Sequence, residues 1–119
     1  MINTRYKKYF DLTGVAGAVV TATASLTNGT AATLLAADST EFLDLFEVTA
    51  ACNSTVGATI TLSNDGTTMA TIVAPANGTA QLRFDPPITQ QVKSIAWVAD
   101  MEDISSTTVT INARFVKRN

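Results

Sequence analysis

Three acidic residues, Asp100, Glu102 and Asp103, lie within four positions of one another. Carboxylates at this spacing could hold a calcium ion, or two of them could act as acid and base in glycoside hydrolysis. A solvated acidic loop is a third interpretation, and the spacing differs from the calcium loop of helix-loop-helix proteins. The chain has no histidine, the commonest general base and zinc ligand. The sequence therefore predicts no catalytic residue and no cofactor, and it leaves a metal at the three carboxylates open.

Two further side chains could do chemistry if the fold exposed them. Cys52 is the single cysteine, so it has neither a disulfide partner nor a histidine to activate its thiol. We expect it to be a small buried apolar side chain. Trp97 could be a sugar-stacking platform, but its place within an alternating run favours the core. Since phosphate-loop, paired-cysteine and nucleophile-elbow motifs are missing as well, we expect that the protein is not an enzyme.

The first ten residues mix basic and aromatic side chains. This segment could bind an acidic protein surface with its rings as anchors, bind nucleic acid by charge and stacking, or be a terminus without a partner. The formal net charge of −2 argues against nucleic acid, and no apolar run is long enough for a membrane span. We predict an extended arm over residues 1–12 whose protein-contacting residues are Arg5, Tyr6, Lys7, Lys8, Tyr9 and Phe10.

The elements that must position these residues are β-strands, because apolar and polar residues alternate with a period of two. The alternation covers residues 18–26, 59–63, 67–73, 81–84, 93–98 and 109–115. Turn residues such as Asn64-Asp65-Gly66 separate the runs, and Asp85-Pro86-Pro87 is predicted to end one, since proline cannot donate to the ladder. Short strands between turns predict an all-β fold, an antiparallel β-sandwich of about eight strands, jelly-roll-like, over residues 13–119.

Residues 42–51 are apolar on both faces of a predicted strand. A helix would instead place Phe42 and Phe46 on one face, and Asp38-Ser39-Thr40-Glu41 resembles a helix capping box. The β-branched Val48-Thr49 pair favours the strand, with or without one preceding helical turn. A strand that is apolar on both faces is either central in the fold or covered by a neighbouring subunit. We therefore predict Phe42, Leu43 and Phe46 as interface residues.

The stretch from residue 42 to residue 117 resembles the small Thr- and Ala-rich β-sandwich proteins of tailed-bacteriophage virions. Four segments carry the resemblance: Phe46-Glu47-Val48-Thr49-Ala50, Thr59-Ile60-Thr61-Leu62-Ser63-Asn64-Asp65-Gly66, Ile72-Val73-Ala74-Pro75-Ala76-Asn77-Gly78-Thr79 and the final alternating run. These segments are strand and turn signatures, so they resemble virion components as a class more than one particular component.

The resemblance implies a capsid decoration (cement) protein, often a homotrimer, located on the capsid surface of the virion. Such a protein binds the major capsid protein and stabilises contacts between capsid subunits. Two alternatives stay open: a tail, fibre or baseplate component of the virion, and a carbohydrate-binding module. Copy number per particle separates head proteins from tail proteins, whereas a carbohydrate-binding module requires an exposed aromatic platform.

Overall fold

The computed structural model describes residues 19–27 and 29–119, and the regular structure in them consists of eight β-strands. The strands are β1 Val19–Thr27, β2 Ala31–Leu35, β3 Phe42–Cys52, β4 Ala58–Asn64, β5 Thr67–Ala74, β6 Thr79–Ile88, β7 Trp97–Met101 and β8 Thr108–Arg118. Within these two ranges, no helix is long and apolar enough to cross a membrane. The predicted arm and its boundary at residue 12 lie outside the described residues.

The eight strands form two four-stranded antiparallel sheets. Sheet A has the order β1-β8-β3-β6, and sheet B has the order β2-β7-β4-β5. The strands pair as they would in one long hairpin that has been rolled up, which is the jelly-roll arrangement. The pairs are β1–β8, β2–β7, β3–β6 and β4–β5. The predicted all-β antiparallel sandwich of about eight strands is therefore confirmed.

The core lies between the sheets and is filled by alternate residues of the central strands. On β8 the inward residues, each 0% exposed, are those that the alternation predicts: Val109, Ile111, Ala113 and Phe115. Trp97 is also 0% exposed, with its ring centroid 5.3 Å from that of Phe115. Its Nε1 donates a hydrogen bond of 2.9 Å to the Leu43 carbonyl oxygen, so the one polar atom of the indole is satisfied inside the core. Trp97 is thus a core residue.

A β-bulge at Phe46 explains why β3 is apolar on both faces of a regular strand. Leu45 pairs with Phe115 and Glu47 pairs with Arg114, so β3 advances two residues while β8 advances one. An extra residue reverses the alternation beyond it. The inward residues are therefore odd-numbered before the bulge and even-numbered after it: Leu43, Leu45, Val48, Ala50 and Cys52.

The bulge corrects one predicted interface residue. Leu43 is 2% exposed, so the single chain already buries it and its prediction as a surface for a partner is wrong. Phe42 and Phe46 are half-buried on the outer side of sheet A. Cys52 is a buried core residue, as predicted.

Three strand predictions also change. β6 continues through Pro86 and Pro87 to Ile88, because β6 is the edge of sheet A and an edge strand keeps one side free of ladder bonds. β7 begins at Trp97 instead of residue 93. Finally, β2 was not predicted. It is a short edge strand with a register shift, and its five residues alternate too little between polar and apolar side chains to be recognised as a strand.

The segment before β3 forms a turn and not a helical turn. Asp38 Oδ1 accepts hydrogen bonds from Thr40 N at 2.8 Å, Thr40 Oγ1 at 2.8 Å and Glu41 N at 3.1 Å. These bonds, first of all the one from the Thr40 backbone, hold the pKa of Asp38 well below its usual range. The residues that resembled a helix cap therefore cap the entry into a strand, since the same side-chain bond serves both.

Candidate interaction surface

The outer face of sheet A concentrates charged and aromatic side chains. The bulge turns Glu47 outward beside Phe46, and the register places the outward residues of β8 and β6 next to them. We call this surface the arginine–aromatic face and define it by Phe42, Asp44, Phe46, Glu47, Arg83, Arg114 and Arg118.

Glu47 lies at the centre of this face between two arginines. Arg83 Nη2 is 2.8 Å from Glu47 Oε2, and Arg114 Nη1 is 3.7 Å from Oε1. Gln81 Nε2 donates a further bond of 3.0 Å to Oε2. The Glu47 side chain is only 10% exposed, whereas those of Arg83 and Arg114 are 70% and 48% exposed. One buried carboxylate thus orients two guanidinium groups that stay open to a partner.

The stability of the protein should depend on the charge of Glu47. The hydrogen bond from Arg83 lowers the pKa of Glu47, burial opposes this, and the charges of Arg83 and Arg114 lower the pKa further. A carboxyl with a lowered pKa in the folded state stabilises the protein above its unfolded-state pKa, and this contribution is lost as pH falls through the folded-state pKa. We expect the free energy of unfolding to decrease below about pH 5, and to decrease less steeply in Glu47→Gln.

Urea denaturation at a series of pH values measures this difference. Asp38→Asn is the matched control, because the pKa of Asp38 is also lowered but Asp38 is not part of the arginine–aromatic face. In Asp38→Asn, the free energy of unfolding should still decrease at low pH by the amount that protonation of Glu47 causes. Parallel curves for wild type and Glu47→Gln would contradict the role of the Arg83 and Arg114 pairs.

Phe42 and Asp44 form the second half of the face. Arg118 Nε donates a bond of 2.7 Å to Asp44 Oδ2, and the Arg118 guanidinium carbon lies 4.3 Å from the centroid of the Phe42 ring. Lys93 Nζ lies 5.1 Å from the same centroid. At Phe46, the guanidinium carbon of Arg114 is 5.4 Å from the ring centroid. Both rings therefore make cation–π contacts within the chain.

A buried glutamine attaches the loop before β7 to this half of the face. Gln90 is 1% exposed, and its Oε1 accepts a bond of 2.7 Å from Leu43 N. Its Nε2 donates to the Ile95 carbonyl oxygen at 2.8 Å. The backbone N of Gln90 donates to Asp44 Oδ1 at 3.0 Å, and Arg118 Nη2 donates to the Gln90 carbonyl oxygen at 3.1 Å. The loop, β3 and β8 are thus joined by one polar network.

The two sides of the sandwich differ in charge. Over residues 19–119 the sequence has five lysines and arginines: Arg83, Lys93, Arg114, Lys117 and Arg118. All five are on sheet A or in contact with its residues. The charged residues on the strands of sheet B and on the connections that follow β4 and β7 are all acidic: Asp65, Asp100, Glu102 and Asp103. Sheet A therefore carries the described cations together with the carboxylates of Asp44, Glu47 and Asp85, whereas the charged residues of sheet B and these connections are carboxylates.

The acidic residues singled out in the sequence do not converge. Asp100 lies on β7 opposite Thr61, and Glu102 Oε1 accepts a hydrogen bond of 2.9 Å from Thr59 N. Across the described ranges, no three His, Cys, Asp or Glu side chains come close enough together to hold a metal ion.

The structure divides the predicted interface residues into three groups. Phe42 and Phe46 both lie on the arginine–aromatic face, each beside a different arginine, and Leu43 is in the core. Arg5, Tyr6, Lys7, Lys8, Tyr9 and Phe10 lie outside the described residues. The arginines of the face were missed, although Arg114 and Arg118 share a parity on β8 that marks them as outward. Their carboxylate partners on β3 could not be predicted from alternation, because the bulge changes whether odd- or even-numbered residues point outward.

One depression on the described surface is smaller than the usual site for a small ligand. A depression of about 90 Å³ lies at the start of β5 and is lined by Asn64, Asp65, Thr67, Met69, Gln91 and Val92. Sites for small ligands are commonly about 300–1,000 Å³. What this part of the chain can do chemically is present an oriented array of charges and rings.

Comparison with known proteins gives the fold and no family. No family model and no curated protein matches the sequence. Among solved structures, carbohydrate-binding module CBM36 in complex with calcium and xylotriose has a TM-score of 0.51 and 14% identity, over 77% of this chain and 77% of that chain. The insecticidal delta-endotoxin Cry8Ea1 from Bacillus thuringiensis has a TM-score of 0.51 and 10% identity, over 80% of this chain and 19% of that chain. These likenesses show a shared β-sandwich fold alone.

Proposed function

We propose that this chain is a structural protein of a tailed-phage virion, a decoration protein that binds the outer surface of the head, and that it is not an enzyme. The observation that carries the proposal is the arginine–aromatic face, a surface whose charged groups are held in place by ion pairs. The resemblance of residues 42–117 to virion proteins supplies the partner, the major capsid protein.

The face has the composition of a protein-binding surface. Arginine and aromatic residues are enriched in interfaces, and a guanidinium has five N–H donors, more than Glu47 can engage. Because Glu47 already orients Arg83 and Arg114, little side-chain freedom is lost on binding. A decoration protein that contacts two capsid subunits at once raises the free energy needed to separate them.

A charge placed on this face should weaken binding to bare heads. Thr49 lies on β3 between Gln81 and Asn112 in the registers of β6 and β8, so Thr49→Glu adds a carboxylate to the face without removing an ion pair. We expect Thr49→Glu to bind bare heads of the parent phage at least about tenfold more weakly, since like charges across an interface cost several kcal/mol.

Co-sedimentation of labelled protein with bare heads measures this affinity. Ser63→Glu is the matched control, because Ser63 occupies a central strand of the opposite sheet. The proposal fails if the two variants bind alike, or if the wild-type protein does not bind heads at all. Counting copies per virion distinguishes a head protein, with hundreds of copies, from a tail, fibre or baseplate component.

A carbohydrate-binding module is the second candidate, favoured by the fold shared with CBM36. Among the described residues, however, Trp97 is 0% exposed, and the rings of Phe42 and Phe46 are in contact with cations. A sugar would therefore have to displace an arginine before it could stack. Binding on a glycan array that is lost in Phe46→Ala would favour this candidate over capsid decoration.

A further inference from the structure

β5 is an edge strand of sheet B whose one protection against pairing in the described structure is a β-bulge at Met69, near its start. Its eight residues contain no charged residue and no proline, and among the described residues β5 pairs only with β4. On the same side of the sandwich, β6 carries Asp85, Pro86 and Pro87, which block strand addition. The open edge of β5 presents unpaired N–H and C=O groups, whose natural partner is another β-strand.

The chain itself supplies a segment that can reach such an edge. Eighteen residues precede Val19, where β1 begins, and an extended chain spans about 3.3 Å per residue, or roughly 60 Å. β1 lies at the edge opposite to β6, and β5 lies against β6. Four strands are only about 15 Å across. β1 therefore begins on the side of the sandwich away from its own β5, and eighteen residues are long enough, when extended, to meet a neighbour.

Charge and sequence pattern fit that segment to sheet B. Residues 2–7 alternate between Ile2, Thr4 and Tyr6 on one side and Asn3, Arg5 and Lys7 on the other. A strand with this pattern can face the opposite sheet with its apolar or β-branched set and solvent with its basic set. Asp65, in the turn between β4 and β5, complements the basic set at this edge.

We propose that residues 2–7 of one copy add to the edge of β5 in a neighbouring copy, as a fifth strand of that copy's sheet B. Each copy then donates from its β1 side and receives on its β5 side. Such a head-to-tail contact closes into a ring when the rotation permits. The pairing concerns contacts between copies, so it holds whether or not the protein binds a phage head.

Native mass spectrometry of the purified full chain tests the pairing. Val73 is 62% exposed on β5, so Val73→Lys should preserve the fold and repel the basic segment. Val56→Lys is the matched control, because Val56 is 59% exposed outside any strand. We expect the wild type and Val56→Lys to form the same closed oligomer, and Val73→Lys and a chain lacking residues 2–10 to be monomeric at the same concentration.

A peptide of residues 1–12 tests the interaction directly. It should bind the chain lacking residues 2–10 in a fluorescence anisotropy titration, and at least about tenfold more weakly when that chain also carries Val73→Lys. A monomeric wild type, or equal behaviour of Val73→Lys and Val56→Lys, would overturn the proposal. An oligomer that survives the deletion but not Val73→Lys would overturn it in favour of direct pairing between two β5 strands.

Discussion

Replacing Trp97 with alanine should lower the free energy of unfolding by about 3–5 kcal/mol, the largest loss that we expect from one substitution. Trp97 is 0% exposed, packs on Phe115 and donates to the Leu43 carbonyl oxygen. Alanine would leave a cavity between the sheets, and it would leave that carbonyl without its side-chain donor. Because whole domains are stable by only about 5–15 kcal/mol, the variant should be near its unfolding midpoint at low urea concentration.

Trp97→Phe separates the contribution of ring packing from that of the hydrogen bond to Leu43. Phenylalanine keeps an aromatic ring against Phe115 but removes the donor to Leu43, so we expect a smaller loss of about 1–3 kcal/mol. Urea denaturation of both variants, followed by circular dichroism, gives the comparison. A Trp97→Ala variant as stable as wild type would contradict the position of Trp97 in the core.

Replacing Arg118 with alanine should cost about 1–3 kcal/mol of folding free energy, the range found when a buried acceptor loses a hydrogen-bond donor, because the Asp44 side chain is buried while that of Arg118 is 38% exposed. The Asp44 side chain is 3% exposed, and Arg118 Nε is 2.7 Å from its Oδ2. Arg118 also donates to the Gln90 carbonyl oxygen. Without Arg118, the Asp44 carboxylate keeps the Gln90 backbone donor but loses the one cation that pairs with it among the described residues.

A double-mutant cycle tests whether this loss arises from the ion pair. Asp44→Asn removes the buried charge, so the double variant Asp44→Asn/Arg118→Ala should be more stable than the sum of the two single losses predicts. Arg118→Lys should recover part of the stability, because lysine restores the charge but not the two-pronged hydrogen bonding. Additive single losses in urea denaturation would show that Asp44 and Arg118 are not energetically coupled.

The sequence by itself determined the strand content and much of the core. Alternation is a property of the pleated backbone, in which successive side chains point to opposite faces, so neighbouring residues suffice to recognise it. Residues 109–115 therefore correctly predicted the inward side chains of β8. The turn at Asn64-Asp65-Gly66 was equally local, and Asp65 and Gly66 have the positive φ values that such a hairpin requires.

Only the tertiary structure decided which residues form the arginine–aromatic face. The bulge at Phe46 reverses the parity of β3, and the residues around it do not reveal where the extra residue is accommodated. Glu47 meets Arg83 and Arg114, and Asp44 meets Gln90 and Arg118, across 36 to 74 positions of sequence. These pairings arise because the jelly roll places β6 and β8, which are distant from β3 in sequence, on either side of it, and strand register then selects which side chains are neighbours.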